Sequence, residues 1–387
     1  MKDDFKPSKR MDPITSFIVM DILEEAKTLE RKGEDIVHLE VGEPDFPPPP
    51  PVIDAICRAA RDGHTHYTHS LGVIELREAI AAWYLKHYSV DVDPEQVIVT
   101  PGTSIGFLHT MAVLLEQGDK IALTDPGYPC YQNYARLLGI EPVAIKVDPE
   151  KAFIPTMDQV NEAVAAGAKA VLIASPANPT GCVLDSDTIR QLTELSVPLI
   201  SDEIYHGLTY DDVVEETALQ YSQDAIVING LSKRMAMTGL RVGWVIVPKQ
   251  LVRPFQKLNQ NIIICPDSIS QQAAITALSD PTCDEAAIKM RDVYSERRRI
   301  LLDGLVKIGF KLHHEPKGAF YIFADCSNFT NDGYKFALRM LREAKVAATP
   351  GVDFGRHGTK NYVRFAYTID VSRIEEGLSR IRKWVGN

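Results

Sequence analysis

Long apolar runs are absent from this 387-residue chain, in which no stretch approaches the ~18–20 uncharged apolar residues of a membrane span. A membrane partner is therefore not expected. The opening segment MKDDFKPSKRMD lacks the apolar core of a secretory signal. Cysteine is sparse, with six residues and no C-x-x-C pair, which argues against a disulfide framework or a zinc site and fits a reducing cytoplasm. An excess of positive charge is missing too. The formal net charge is −10, so a nucleic-acid partner is not expected, although a local site can oppose the global charge and take an anion. Internal repeats and low-complexity linkers are lacking, and the proline run at 47–51 reads as a short extended connection. The histidines His64, His66 and His69, crowded into HTHYTH, have no carboxylate or cysteine at ligand spacing, and no metal site is expected.

What the chain does have is length for more than one core and a composition that is 45% hydrophobic. Short apolar runs, several of them β-branched and without clean alternation, recur at 97–100, 121–124, 142–147, 170–174, 198–201, 225–229 and 243–247. Strands buried on both faces read in this way. Helical patterns such as 104–116 and 185–195 separate most of them, which implies an α/β fold with a mostly parallel, seven-stranded sheet. After residue 284 the character changes. A long amphipathic pattern at 284–308, strand candidates at 320–324, 346–348 and 362–367, and a helical pattern at 372–384 imply a smaller α+β domain. The expected organisation is an N-terminal arm and helix over 1–45 that packs with the small domain, a large domain over 46–283, and the small domain over 284–387.

Open α/β sheets place their ligands at strand ends, and the loops there carry the chemistry. Thr100-Pro-Gly102-Thr103-Ser104 ends a strand and opens a helix, where glycine lets backbone approach a ligand and first-turn amides can hold a phosphate. A plain helix cap by Thr103 or Ser104 is the bland alternative. Tyr128, in the turn DPGYP, can stack on a flat ring or simply pack. Asn178 is held between two prolines in SPANPTG and can offer its amide. Asp202 follows a buried strand, where a carboxylate is costly without a partner. Tyr205 faces the same way if a helical turn begins there. Lys233 and Arg241 follow the strand ending near Asn229. On its own, each is an ordinary surface charge. Together the loops could supply an amine, a buried carboxylate, an amide, a phenol, a guanidinium and phosphate-binding amides. Pyridoxal 5′-phosphate (PLP) needs this set.

The ordered motifs VGEPD at 41–45, PANPTG at 176–181, DEIY at 202–205, NGLSKRMAMTGLRVGW at 229–244 and YVRF at 362–365 span most of the chain. With them the chain resembles the fold-type-I PLP-dependent aminotransferases of class I/II, in particular a branch with bacterial and archaeal aspartate and broad-specificity enzymes. The resemblance implies that Lys233 forms a Schiff base with the cofactor and moves the proton at the substrate's Cα. It implies that Asp202 pairs with the pyridinium nitrogen, that Asn178 and Tyr205 bond the phenolic oxygen, and that Tyr128 stacks on the ring. Gly102, Thr103, Ser104 and Arg241 would hold the phosphate. Tyr67 would reach that phosphate from the partner of a homodimer, Gly42 would close over the substrate, and Arg364 would grip the substrate carboxylate. Many relatives carry a serine three positions before the lysine, where this chain has Gly230; Ser232 remains next to Lys233.

The implied function is a ping-pong transfer of the amino group of an L-amino acid to a 2-oxo acid, 2-oxoglutarate being the expected acceptor. A β-eliminating C–S lyase of the same fold begins with the same proton abstraction and is the alternative. A regulator fused to a DNA-binding module fits poorly, given about 40 residues before the first motif and the acidic charge. The apolar stretch PITSFIV near 14–18 favours uncharged or aromatic donors over aspartate.

Overall fold

The computed structural model describes residues 5–386. In chain order the strands are β1 (Val37–His38), β2 (Val97–Thr100), β3 (Lys120–Asp125), β4 (Glu141–Lys146), β5 (Ala168–Ala174), β6 (Leu199–Asp202), β7 (Ile226–Gly230), β8 (Gly243–Ile246), β9 (Tyr321–Asp325), β10 (Val346–Ala347), β11 (Thr349–Pro350) and β12 (Tyr362–Ala366). The helices are α1 (Ile18–Glu30), α2 (Pro50–Arg61), α3 (Ile74–Tyr88), α4 (Thr103–Leu114), α5 (Pro129–Leu137), α6 (Met157–Ala165), α7 (Ser186–Thr193), α8 (Lys249–Ile262), α9 (Ser268–Ser279), α10 (Pro281–Ile308), α11 (Gly333–Arg339) and α12 (Val371–Val385).

The seven-stranded sheet runs β2-β8-β7-β6-β5-β3-β4, and every neighbouring pair is parallel except the two that β8 makes. The mostly parallel sheet expected from the apolar runs is therefore present. Its strands bury both faces. Ile98, Leu172, Ile228 and Val245 pack on one side with Phe107 of α4, while Val99, Val171, Val227 and Trp244 pack on the other with Trp83 of α3. The edge strand β4 differs: only Ile145 is buried, and it contains Pro142, a residue that an edge tolerates.

A three-stranded antiparallel sheet, β11-β12-β9, packs with α10 and α12 around Tyr294, Leu301, Phe365 and Ile374. The N-terminal helix α1 buries Ile22 and Ala26 with Ala347 of β10 and Leu341. β1 pairs in parallel with β10, and Leu39 continues along β12, its carbonyl accepting from Ala366 at 2.7 Å. That path delivers residues 40–42 to the ends of the large sheet. Among the described residues, no helix is long and apolar enough to cross a membrane.

Candidate active site

β2, β3, β5, β6 and β7 all point one way, so the loops that leave them gather at one edge. β8 runs the other way and begins where they end, with Gly243 opposite both Thr100 and Gly230. The loop coming into β8 therefore brings Arg241 to the same edge. Of the site residues expected from sequence, all but Gly102 and Tyr67 line one cavity of about 250 Å³ at this edge.

Lys233 donates from Nζ to the carbonyl of Gly42 at 2.8 Å. Burial lowers its ammonium to about 8; Glu43 opposes the shift, while the guanidinium groups of Arg364 and Arg241 add to it. Asp202 occupies the last position of β6, one residue further into the strand than the apolar run suggests, and is 4% exposed. Its Oδ1 accepts from the amide of Ile204 at 3.1 Å and its Oδ2 from the hydroxyl of Tyr131. Burial nonetheless raises the carboxyl to about 6. The site thus holds a half-buried amine that sheds its proton easily and a buried carboxylate with too little local compensation.

Arg364 projects from β12 and is 2% exposed. It donates from Nη1 to Asn178 Oδ1 at 2.9 Å and from Nη2 to the Glu40 carbonyl at 2.5 Å. Its guanidinium lies over the ring of Tyr321 at 4.2 Å and that of Phe354 at 4.7 Å. Nε is buried with no protein partner, a donor kept in place by neighbours that do not use it. Tyr205, in a turn just past β6, meets Tyr321 hydroxyl to hydroxyl at 2.8 Å. A Cβ on Gly42 would run into that Tyr321 hydroxyl, so glycine alone fits there.

At the start of α4 the cap is Gly102, in the left-handed region at φ 75°, and neither Thr103 nor Ser104 caps the helix. The first-turn amides are left without a side-chain acceptor. Gly102 lies behind the guanidinium of Arg241, where a Cβ would displace it. Arg241 is itself at a positive φ of 51° and donates to the Thr238 carbonyl at 2.7 Å. Gly243 packs so closely that a Cβ would stand 3.0 Å from Thr103 N and from Gly102 C. Gly230, where many relatives have serine, faces the Cα of Gly243; a Cβ there would be 3.0 Å from it. A serine would need the backbone to move. Ser232 lines the cavity.

Tyr67 is 80% exposed and stands outside the cavity. His69 uses Nδ1 to accept from the Leu71 amide at 3.3 Å, and among the described residues no group of three or more potential metal ligands converges. Phe17 and Val19, from the apolar stretch PITSFIV, also line the cavity, as do Tyr131, Tyr321 and Met20, which sequence reasoning did not single out. The spacing of Tyr131 from Tyr128, one helical turn inside α5, was the available signal for the first.

Residues 34–381 match the family model described as aminotransferase class I and II. A protein of Methanocaldococcus jannaschii named (5-formylfuran-3-yl)methyl phosphate transaminase is 38% identical, over 98% of this chain and 99% of its own length. A Mycobacterium tuberculosis protein named valine–pyruvate aminotransferase is 38% identical, over 96% and 97%. The crystal structure of an aminotransferase from Mycobacterium tuberculosis superposes with a TM-score of 0.94 at 37% identity, over 99% of each chain.

Proposed function

The chain belongs to the class I and II aminotransferases, and from that premise we propose that it is a PLP enzyme that moves the amino group of an uncharged or aromatic L-amino acid to a 2-oxo acid. One observation carries the reading: an amine lowered to about 8 and a buried carboxylate raised to about 6 open onto the same cavity as a guanidinium with a spare donor. The residues fit the cofactor. The Gly102 turn with free amides beside Arg241 suits a phosphate. A carboxylate that is costly by itself suits a cationic ring nitrogen. Asn178, Tyr205 and Tyr128 offer hydrogen bonds and a ring face.

When bound, PLP supplies an aldehyde that takes up the amino group and a ring that draws electrons from the bonds at Cα. The chain's own residues do the rest. Lys233, about half of it neutral near pH 8, accepts the Cα proton at Nζ and returns it. Arg364 orients the substrate through its carboxylate, steadied by Tyr321 and Phe354. Gly42 and Tyr321 narrow the cavity over the reacting atoms and exclude water. In a homodimer, Tyr67 would complete the neighbouring site.

The cavity wall bears on the substrate. Phe17, Val19, Met20, Val41 and Ile204 are apolar, and the cations that line it among the described residues are Lys233, Arg241 and Arg364. Each has a role, so none is spare for a side-chain carboxylate. That supports a donor such as valine, named for the Mycobacterium tuberculosis relative, and a short acceptor such as pyruvate in preference to 2-oxoglutarate. The test is the visible spectrum of the PLP-loaded protein against a panel of L-amino acids, followed by 2-oxo acids. Loss of the band on adding valine or phenylalanine, and its return with pyruvate, is expected. A band that only aspartate or glutamate discharges overturns the substrate class, and one unaltered by Lys233→Ala overturns the role of the lysine.

A further inference from the structure

Helix α1 begins at Ile18, and its cap position is Phe17, a side chain that accepts nothing. The first amides of a helix need acceptors. They find one far along the chain. Asp353 accepts from the Ile18 amide through Oδ1 at 2.9 Å and from the Val19 amide through Oδ2 at 3.2 Å. The carboxylate is 5% exposed. Burial raises it to about 6, while these two amides and the charge of Arg364 hold it down and Asp21 adds to the rise. Both its oxygens and the helix start are therefore matched, and negative charge suits that end of a helix.

The segment held in this way is the substrate wall. Phe17, Val19 and Met20 line the cavity, and Phe17 meets Tyr128 edge-on at 6.0 Å. Its other ties lie nearer the surface: the exposed Thr15 exchanges hydrogen bonds with the half-buried Asn133, its amide donating to Oδ1 at 3.2 Å, and Ser16 bonds Asp21 within the arm itself. The turn that carries Asp353 is rigid. Gly351 packs against Tyr362 and Thr359, the Phe354 amide closes the turn on Gly351 at 3.0 Å, and the Phe354 carbonyl accepts from Gly127 at 2.8 Å. Phe354 is also the platform under Arg364. One turn thus supports both the carboxylate grip and the side-chain wall. We propose that Asp353 is a positioning residue that sets side-chain selectivity, by pinning residues 17–20 as the apolar wall of the active site. The inference rests on the aminotransferase reading only for its consequence on substrates.

The test uses the PLP-loaded full chain and the ratio of kcat/KM for L-valine to that for L-alanine. Asp353→Ala is expected to lower the ratio roughly fivefold, the size of a lost helix cap. Asp353→Asn keeps a capping oxygen and is expected to hold the ratio within about twofold. Phe17→Ala is expected to lower it by a similar factor, and the double variant Phe17→Ala/Asp353→Ala to lower it no further. An Asp353→Ala enzyme that loses the same factor on both amino acids, or a double variant whose losses multiply, overturns the proposal. Hydrogen exchange on the wild-type protein reads the pin without any variant. Ile18 and Val19 amides slower than the Thr15 amide are expected, and equal rates overturn it. Should the wild type transaminate nothing, the functional reading falls while the exchange result still decides the pin.

Discussion

Lys233 and Asp202 are ionisable groups kept where ionisation is disfavoured, and each makes a prediction. Labelling of the Lys233 amine with acetic anhydride in cofactor-free protein should follow an apparent pKa near 8, and a value near that of free lysine would contradict its burial beside two guanidinium groups. For Asp202 the sign runs against stability. A folded-state carboxyl raised from 3.8 to about 6 costs nothing below the unfolded value and its full amount above the folded one. That amount is roughly 3 kcal/mol. Asp202→Asn should therefore melt higher than wild type at pH 7 without cofactor, with the gap closing towards pH 4, and thermal scans across that range would show it. The same variant should lose activity. Lys233 and Asn178 were legible in the sequence because chemistry ties their type to a loop after a strand, whereas Arg364, in the middle of β12, was legible only through the resemblance carried by YVRF. Tyr131 and Tyr321 were not, because a tyrosine in a helix or strand looks like any core aromatic until the fold aims its hydroxyl.

At the scale of elements, one reversed strand decides the layout. Were β8 parallel, Arg241 would emerge at the opposite edge of the sheet, far from the turn at Gly102. The close packing of Gly102, Gly230 and Gly243 lets the two loops meet. Gly102→Ala should accordingly raise the PLP dissociation constant at least tenfold, about 1.4 kcal/mol, while changing the melting point of cofactor-free protein far less; an equal loss in both would make the turn structural only. Most strands were readable within a residue or two as β-branched runs, and the long helix appears at Pro281–Ile308 where its amphipathic pattern begins at 284. The direction of β8 was not readable, since an apolar run carries no arrow. The helices α3 and α9 are absent from the sequence reading for a related reason. α3 buries Leu76, Ile80, Trp83, Tyr84 and Tyr88 on one face but carries Ile74 and Leu85 exposed outside it, and the buried face of α9 is small and partly polar (Ser270, Gln271, Ala273, Ala274 and Ala277), so no clean apolar stripe marks either.

In the whole molecule Tyr67 is exposed, and so are Ile262 and Ile264, which come just before Cys265, the residue whose Sγ accepts from the Thr68 amide. If Tyr67 serves the other subunit, mixing inactive Lys233→Ala chains with Tyr67→Ala chains should regenerate one sound site in each mixed dimer. Activity that stays at the level of the parent variants after subunit exchange would argue that each chain serves itself. The proposed grip on the substrate carboxylate spans the chain: Arg364 bonds Glu40, 324 positions earlier, and Asn178, 186 positions earlier. That geometry has a meaning for the order of synthesis. A ribosome delivers the lysine, the carboxylate and the phosphate turn well before β12, so a growing chain can hold the whole large sheet while its carboxylate clamp is still unmade. With the roles proposed above, the carboxylate clamp is thus the last part of the site to be made, and a chain cut short between residues 241 and 364 keeps the amine without the guanidinium that would hold a substrate's carboxylate.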